Sequence, residues 1–406
     1  MGETRPRLGG QAEADNGELD MRVLQIVNLG FEAGGAEKSV RLIAEGLTAR
    51  GHQVRVVATD LLAEGQQVFA DELVPAVSGG PARRLLGYFW HRPAYRAVRR
   101  QLLEFRPDCV HLHTIGEFSP AVLAATSGVP RLLTVHGPED WTKALLRWNL
   151  ASASAGGRLS AADSCRYLYL RLLQRPAYLL RLRRVRRVLA PSRYFAEAVR
   201  PDVGRVPVHV LPNGIPRTAG AEPVTDAQQL LFVGRLEPVK GVHVLLAAFR
   251  ELIARHPEAR LAVVGDGPER ARLEAAAADL VADGRVVFHG WLTGDQVAER
   301  LRAASVVVLP SLWPENFPTV ALEALQIGRP MVASRVGGLP ELVGPDNGAL
   351  VEAGDVAALA GALGGLIGDL ERLALLGKGS AARADRYGVE EFLDNLEHHY
   401  TEIVRP

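Results

Sequence analysis

The sequence predicts an α/β protein built from two doubly wound parallel sheets. Three observations carry that expectation. Short apolar runs alternate with longer helical stretches along most of the chain, as in repeated strand–helix–strand units. The runs fall into two series, separated by the hinge Pro212-Asn213-Gly214-Ile215-Pro216 and a polar stretch to Gln229. The chain has 406 residues, 48% apolar and 23% charged, which suits two or three domains of ordinary globular composition.

Residues 1–20 are polar, Gly-rich and of mixed charge. They lack the apolar centre of a signal peptide and read as a disordered tail. The first unit then spans 21–213. Its strands are expected at Arg22–Val27, Val54–Ala58, Asp108–Leu112, Leu132–Val135, Val188–Ala190 and Val208–Leu211, each a short apolar run. Gly34-Gly35 opens the first helix, which ends near Gly51. This loop is not Gly-x-Gly-x-x-Gly, so a dinucleotide fingerprint is absent. A Gly-Gly turn at a helix N-terminus either favours an anion or is a plain tight turn. The second unit, 214–388, has strands at Leu230–Val233, Leu261–Val264, Val286–Phe288, Val306–Leu309 and Met331–Ala333. A last helix near 389–404 has no strand after it.

The most informative stretch is Ser311 to Ala324, which follows the Val306–Leu309 run. A helix starts near Pro318, where proline is tolerated, and stops at Gly328 and Pro330. Glu323 interrupts an otherwise apolar helix, and a buried ionised carboxylate requires a partner. Either a neighbouring Arg supplies it or a ligand's hydroxyls do. Glu315 lies in the loop at the carboxyl end of the strand, where open α/β sheets bind ligands. Arg235 and Lys240 stand in the loop Gly234–Gly241 after the first strand of the second series. Two cations in a strand-to-helix loop suit a diphosphate. Their bland reading is as solvated surface charges.

Ser311, Glu315-Asn316-Phe317-Pro318, Glu323-Ala324, Gly328 and Pro330 resemble the glutamate-pair signature of the family 4 retaining, nucleotide-sugar-dependent glycosyltransferases. Other matches run from about Arg22 to Tyr400. The resemblance implies a GT-B fold: two Rossmann-like domains facing a cleft, with the 389–404 helix crossing back to the acceptor-side first domain. It implies a nucleoside diphosphate sugar as co-substrate, UDP ahead of GDP, and transfer of a hexosyl unit with retention to a hydroxyl of a small-molecule or lipid-linked acceptor. Arg235 and Lys240 match the diphosphate-binding pair, with the Gly35 turn beside them. Glu323 would hold the ribose hydroxyls, while Glu315 and His136, in Thr134-Val-His-Gly, would face the donor sugar. Asn316 and Phe317 flank that sugar, Asn316 standing where the family often has Gly. Backbone near Trp291 would meet the base. No residue stands out as a covalent nucleophile, and no Asp-x-Asp occurs, so front-side displacement without metal or cofactor is expected. A lone histidine at a strand end is more often structural, and that reading of His136 stays open. A non-catalytic sugar-nucleotide-binding module and a sugar-nucleotide epimerase are the alternatives.

The formal net charge is +1, unevenly spread. Residues 1–213 carry 29 basic and 20 acidic side chains, a net +9; residues 214–406 carry 18 and 26, a net −8. Arg166 to Arg187 holds eight arginines and no acid, interleaved with Tyr and Leu. It reads either as a peripheral contact with an anionic membrane or as a packed helix with solvated arginines. Pro176 interrupts the run and arginine is abundant throughout, so the packed helix is preferred. Arg83 to Arg100 has the same character. No apolar run reaches the ~18 residues of a spanning helix; the longest, Val356 to Gly368, reads as a packed surface helix. Cys109 and Cys165 form neither a redox pair nor a zinc motif. A reducing bacterial cytoplasm and a role in glycan or secondary-metabolite synthesis are expected, with nucleic acid not a partner.

Overall fold

The computed structural model describes residues 20–150, 160–217 and 220–405. The expected tail at 1–20 falls almost wholly outside them. Strands β1 (Arg22–Leu29), β2 (Gln53–Thr59), β3 (Glu72–Val74), β4 (Cys109–Leu112), β5 (Arg131–Thr134), β6 (Arg187–Ala190) and β7 (Val208–Val210) form one sheet in the order β3-β2-β1-β4-β5-β6-β7. Strands β8 (Gln229–Val233), β9 (Arg260–Val264), β10 (Val286–Gly290), β11 (Val306–Leu309), β12 (Met331–Ser334) and β13 (Gly348–Val351) form the other, ordered β10-β9-β8-β11-β12-β13. All their pairings are parallel. The chain is thus two parallel-sheet α/β domains.

In each sheet the strand order reverses at one point, between β1 and β4 and between β8 and β11. Such a switch point opens a crevice beyond the carboxyl ends of the strands. In the second sheet β11 is wholly apolar. Val306-Val-Val-Leu309 is buried throughout, as required when helices cover both faces of a sheet. Each expected strand is present to within two residues. Two further strands, β3 and β13, lacked an apolar run that would announce them.

The Val389–Val404 helix lies on the first sheet although it follows the second. Its Phe392, Leu393, Leu396, Tyr400 and Ile403 bury against Val23, Ile43, Cys109 and Leu132, and each such apolar side chain contributes about 1.5–3 kcal/mol. Arg50 adds ion pairs to Glu390, Asp394 and Glu397. Where the chain crosses back, Ile215 pairs with Gly388 beside the outgoing connection.

Pro176 does not break the basic stretch, contrary to the sequence expectation. Helix continues over 161–182 through a π turn, Leu170–Gln174. A proline removes one N–H and crowds the carbonyl of the preceding turn, and widening that turn relieves both effects. Arg186 and Arg187 lie beyond this helix and bind the C-terminal one, Arg186 to the Ile403 carbonyl and Arg187 to Glu402.

Candidate active site

Two loops of the second domain define the site. After β8 the chain passes Arg235 and Lys240 into the Val242–Ile253 helix, and after β11 it passes Ser311 to Pro318 into the Thr319–Ile327 helix. Leu312 N–H donates to the Val239 carbonyl at 2.7 Å and fastens one loop to the other. The approach depends on Gly241, whose φ is +69° and whose Cβ, if present, would stand 2.0 Å from the Pro310 carbonyl oxygen. This packing sets Lys240 Nζ 2.6 Å from Glu315 Oε1. Ser311 Oγ donates to the same oxygen at 2.6 Å, and the ammonium lies 5.2 Å from the centre of the Trp313 ring. Burial pushes the Glu315 carboxyl up, but the Lys240 ammonium and the Ser311 hydroxyl outweigh it and hold the group below its ordinary range.

Glu323 emerges from its helix toward the other domain. Its protein partner is not an arginine: the Lys38 ammonium of the Gly35–Ala49 helix forms an ion pair with it. Arg329 is fully buried nearby and donates instead to the carbonyls of Leu301, Glu222 and Arg302. A Cβ at Gly35 would lie 3.4 Å from Thr319 Cγ2, so the starts of the two helices abut across the cleft. Burial raises the pKa of Glu37, in the first turn, against the pull of backbone N–H groups and the Arg235 guanidinium. Arg235 itself is largely exposed and pairs with Glu237 at 2.7 Å.

Asn316 and Phe317 both have partners within the protein. The Asn316 amide donates to the Val135 carbonyl at 2.8 Å and accepts from Ser192 Oγ at 2.9 Å. It joins the two domains beside His136. Phe317 is buried in the second domain's core, edge-on to Tyr387 at 5.4 Å. Successive residues of an extended loop point to opposite sides, and the side facing the core takes the ring. Trp291 is two-thirds exposed and directly follows β10. Gly337 and Gly338, which the sequence reading passed over, let the next loop touch the Glu315–Asn316 backbone, with Gly338 N–H donating to the Glu315 carbonyl at 2.7 Å. Glu341 Oε1 accepts from Arg193 N–H at 2.8 Å, a further link between domains.

His136 stands at the end of a buried polar chain. His113 Nε2 lies 3.0 Å from Gln25 Oε1, and His113 Nδ1 lies 2.9 Å from His136 Nε2. Next to it His111 meets Tyr400 and Thr134, each at 2.7 Å. His111 on β4 and His113, one residue past its end, are two apart and share one face, their ring centres 3.9 Å apart. Burial pushes His136 down to about 4 and holds His111 and His113 well below the ordinary histidine range. Burial and the Asp140 charge lift Glu139, three residues on, to about 8.

These shifts predict a stability maximum near neutrality. Below pH 6.5 the unfolded chain protonates its histidines while the folded state does not. Stability is therefore lost as pH falls from about 6.5 toward 4, and Glu315 adds to the loss below its ordinary carboxylate range. Glu139 acts oppositely, removing stability as pH rises from 4.5 to about 8. Urea unfolding across this range should give midpoints that fall on both sides. A flat profile between pH 7 and 5 would mean that the histidines are protonated in place.

Comparison with known proteins agrees with this geometry. Residues 33–218 match a model described as Glycosyltransferase Family 4, and residues 227–369 match one described as Glycosyl transferases group 1. The chain belongs to glycosyltransferase family 4. Its relatives include a phosphatidyl-myo-inositol mannosyltransferase of Mycolicibacterium smegmatis, 29% identical over 90% of each chain. A D-inositol 3-phosphate glycosyltransferase of Acidothermus cellulolyticus is 40% identical over 42% of this chain and 40% of its own. With such inositol phosphate enzymes the match spans only about two fifths of their length. The family's GT-B fold is shared with sucrose-phosphate synthase from Thermosynechococcus elongatus, at a TM-score of 0.73, 22% identity and coverage of 94% and 99%. Anabaena HepE in complex with UDP and glucose aligns at 0.68, with 21% identity and coverage of 94% and 100%. Among the described residues no helix is long and apolar enough to cross a membrane.

Proposed function

We propose that the protein moves a hexosyl unit from a nucleoside diphosphate sugar to an acceptor hydroxyl, with retention and without a metal ion. The observation that carries this reading is the Lys240–Glu315 pair at the switch point of the second sheet. It sets a cation suited to a diphosphate against a carboxylate suited to sugar hydroxyls. Arg235 lies in the same loop with its guanidinium largely free of protein. The bond from the anomeric carbon to the diphosphate oxygen breaks, and a bond to the acceptor oxygen forms on the same face. The acceptor's proton passes to the departing phosphate. Charge grows on the diphosphate as the bond breaks, and fixed cations in a water-poor cleft stabilise it. His136 hydrogen-bonds a sugar hydroxyl, and Glu323 takes the ribose.

The test is ligand-linked stabilisation, which amounts to about 2.7 kcal/mol at a hundred times Kd. UDP, tried first because Anabaena HepE holds it, then GDP, should raise the melting temperature with EDTA present. No shift with UDP, GDP, ADP or TDP at millimolar concentration would sink the reading. Donor consumption that depends on acceptor separates a transferase from an epimerase and from a binding module.

A further inference from the structure

The helix over 161–182 is apolar on both of its faces. Leu170, Tyr178 and Leu182 point inward and are buried. Outward stand Leu168, Leu172, Leu173 and Leu180, each more than half exposed. A helix with apolar side chains all round is normally enclosed, yet among the described residues no element covers the outer face of this one. The Pro81–Phe89 helix packs beside it, with the Tyr169 hydroxyl donating to the Leu85 carbonyl at 3.1 Å. Arg181 lies over the Trp90 ring, 5.5 Å from its centre. That second helix exposes Leu85, Leu86 and Phe89. The exposed apolar side chains of two neighbouring helices therefore form a patch, which on a soluble surface marks a site of contact.

The charges around the patch are predominantly positive. Arg83, Arg84, Arg166, Arg171, Arg183 and Arg184 are exposed. The sequence has no acid from 73 to 103 or from 164 to 196; Asp163 stands at the helix start, and Glu117 faces Tyr88 at 3.3 Å. We infer that these two helices form an interfacial surface that docks on an anionic lipid bilayer, leucines in the acyl boundary and arginines among the headgroups. A second copy of the chain is disfavoured as occupant, because two such patches would bring like charges together. The π turn belongs to this inference: it keeps the helix continuous past Pro176 and so carries Leu180 onto the surface that presents Leu172. Arg186 and Arg187 take no part, being held by the C-terminal helix.

Vesicle cosedimentation tests this without donor or acceptor, so it is independent of the proposed transfer. The full chain should bind vesicles of phosphatidylcholine with about one third phosphatidylglycerol at low salt, and bind pure phosphatidylcholine at least ~10-fold more weakly. About half-molar salt should reduce binding ~10-fold or more. Leu172→Gln with Leu180→Gln should lower it ~10-fold, as should Arg83→Gln with Arg84→Gln and Arg171→Gln, while Arg186→Gln should leave it unchanged. Absence of binding at low salt, equal binding to neutral vesicles, or a solution dimer that the leucine variant converts to monomer would each overturn the inference.

Discussion

Replacing Lys240 with alanine is expected to lower kcat by ~10²-fold or more, the scale for losing one preorganised donor to a developing charge. Arg235→Ala should do the same, but the two variants should differ in stability. Arg235 is exposed, and its pair with Glu237 is of the surface kind that contributes little. Lys240 is four-fifths buried and holds a nearly enclosed carboxylate. Removing one partner of a fully buried pair costs about 3–5 kcal/mol, and less here because Lys240 keeps some exposure. Chemical denaturation should therefore show Lys240→Ala destabilised and Arg235→Ala near the parent. Adding Glu315→Gln to Lys240→Ala should return much of the lost stability and none of the activity. Near-native turnover in either single variant would place the diphosphate elsewhere.

The fold was legible because both switch-point strands lie inside helical layers, where burial on two faces leaves unbroken runs such as Val306–Leu309. The two strands that escaped notice carry no such run. β3 is only Glu72-Leu73-Val74 at a sheet edge, and β13 opens on a glycine. The loop sequence around Glu315 likewise announced a loop that meets the Lys240 loop, since loops at the carboxyl ends of parallel strands meet in one crevice. It does not tell which side of the loop each residue takes: the Asn316 amide turns to the first domain and the Phe317 ring to the core. Lys38, Ser192 and Gln25 act on partners far away in sequence, and periodicity carries no trace of such pairs. One cue was available. Only four residues are lysine, Lys38, Lys143, Lys240 and Lys378, and two of them meet the two glutamates of the signature.

That second lysine sets up the other large effect. With Glu323 assigned to the ribose, Lys38 is a competitor that must be displaced before the nucleotide binds. Glu323→Ala removes hydrogen bonds to a charged acceptor, each contributing about 1.5–3 kcal/mol, and should raise the donor KM by about 10- to 100-fold with a smaller change in kcat. Lys38→Ala should act in the opposite direction. The ion pair is partly exposed, 41% on the lysine side and 21% on the glutamate side, so it contributes no more than about 1 kcal/mol. Freeing Glu323 should then tighten nucleotide binding by up to about fivefold, read as a lower Kd for UDP in calorimetry. High salt should reproduce part of that gain in the parent and none in the variant. If Lys38→Ala instead weakens UDP as much as Glu323→Ala does, Lys38 touches the donor itself and the ion pair is a resting contact between two ligands of the same nucleotide.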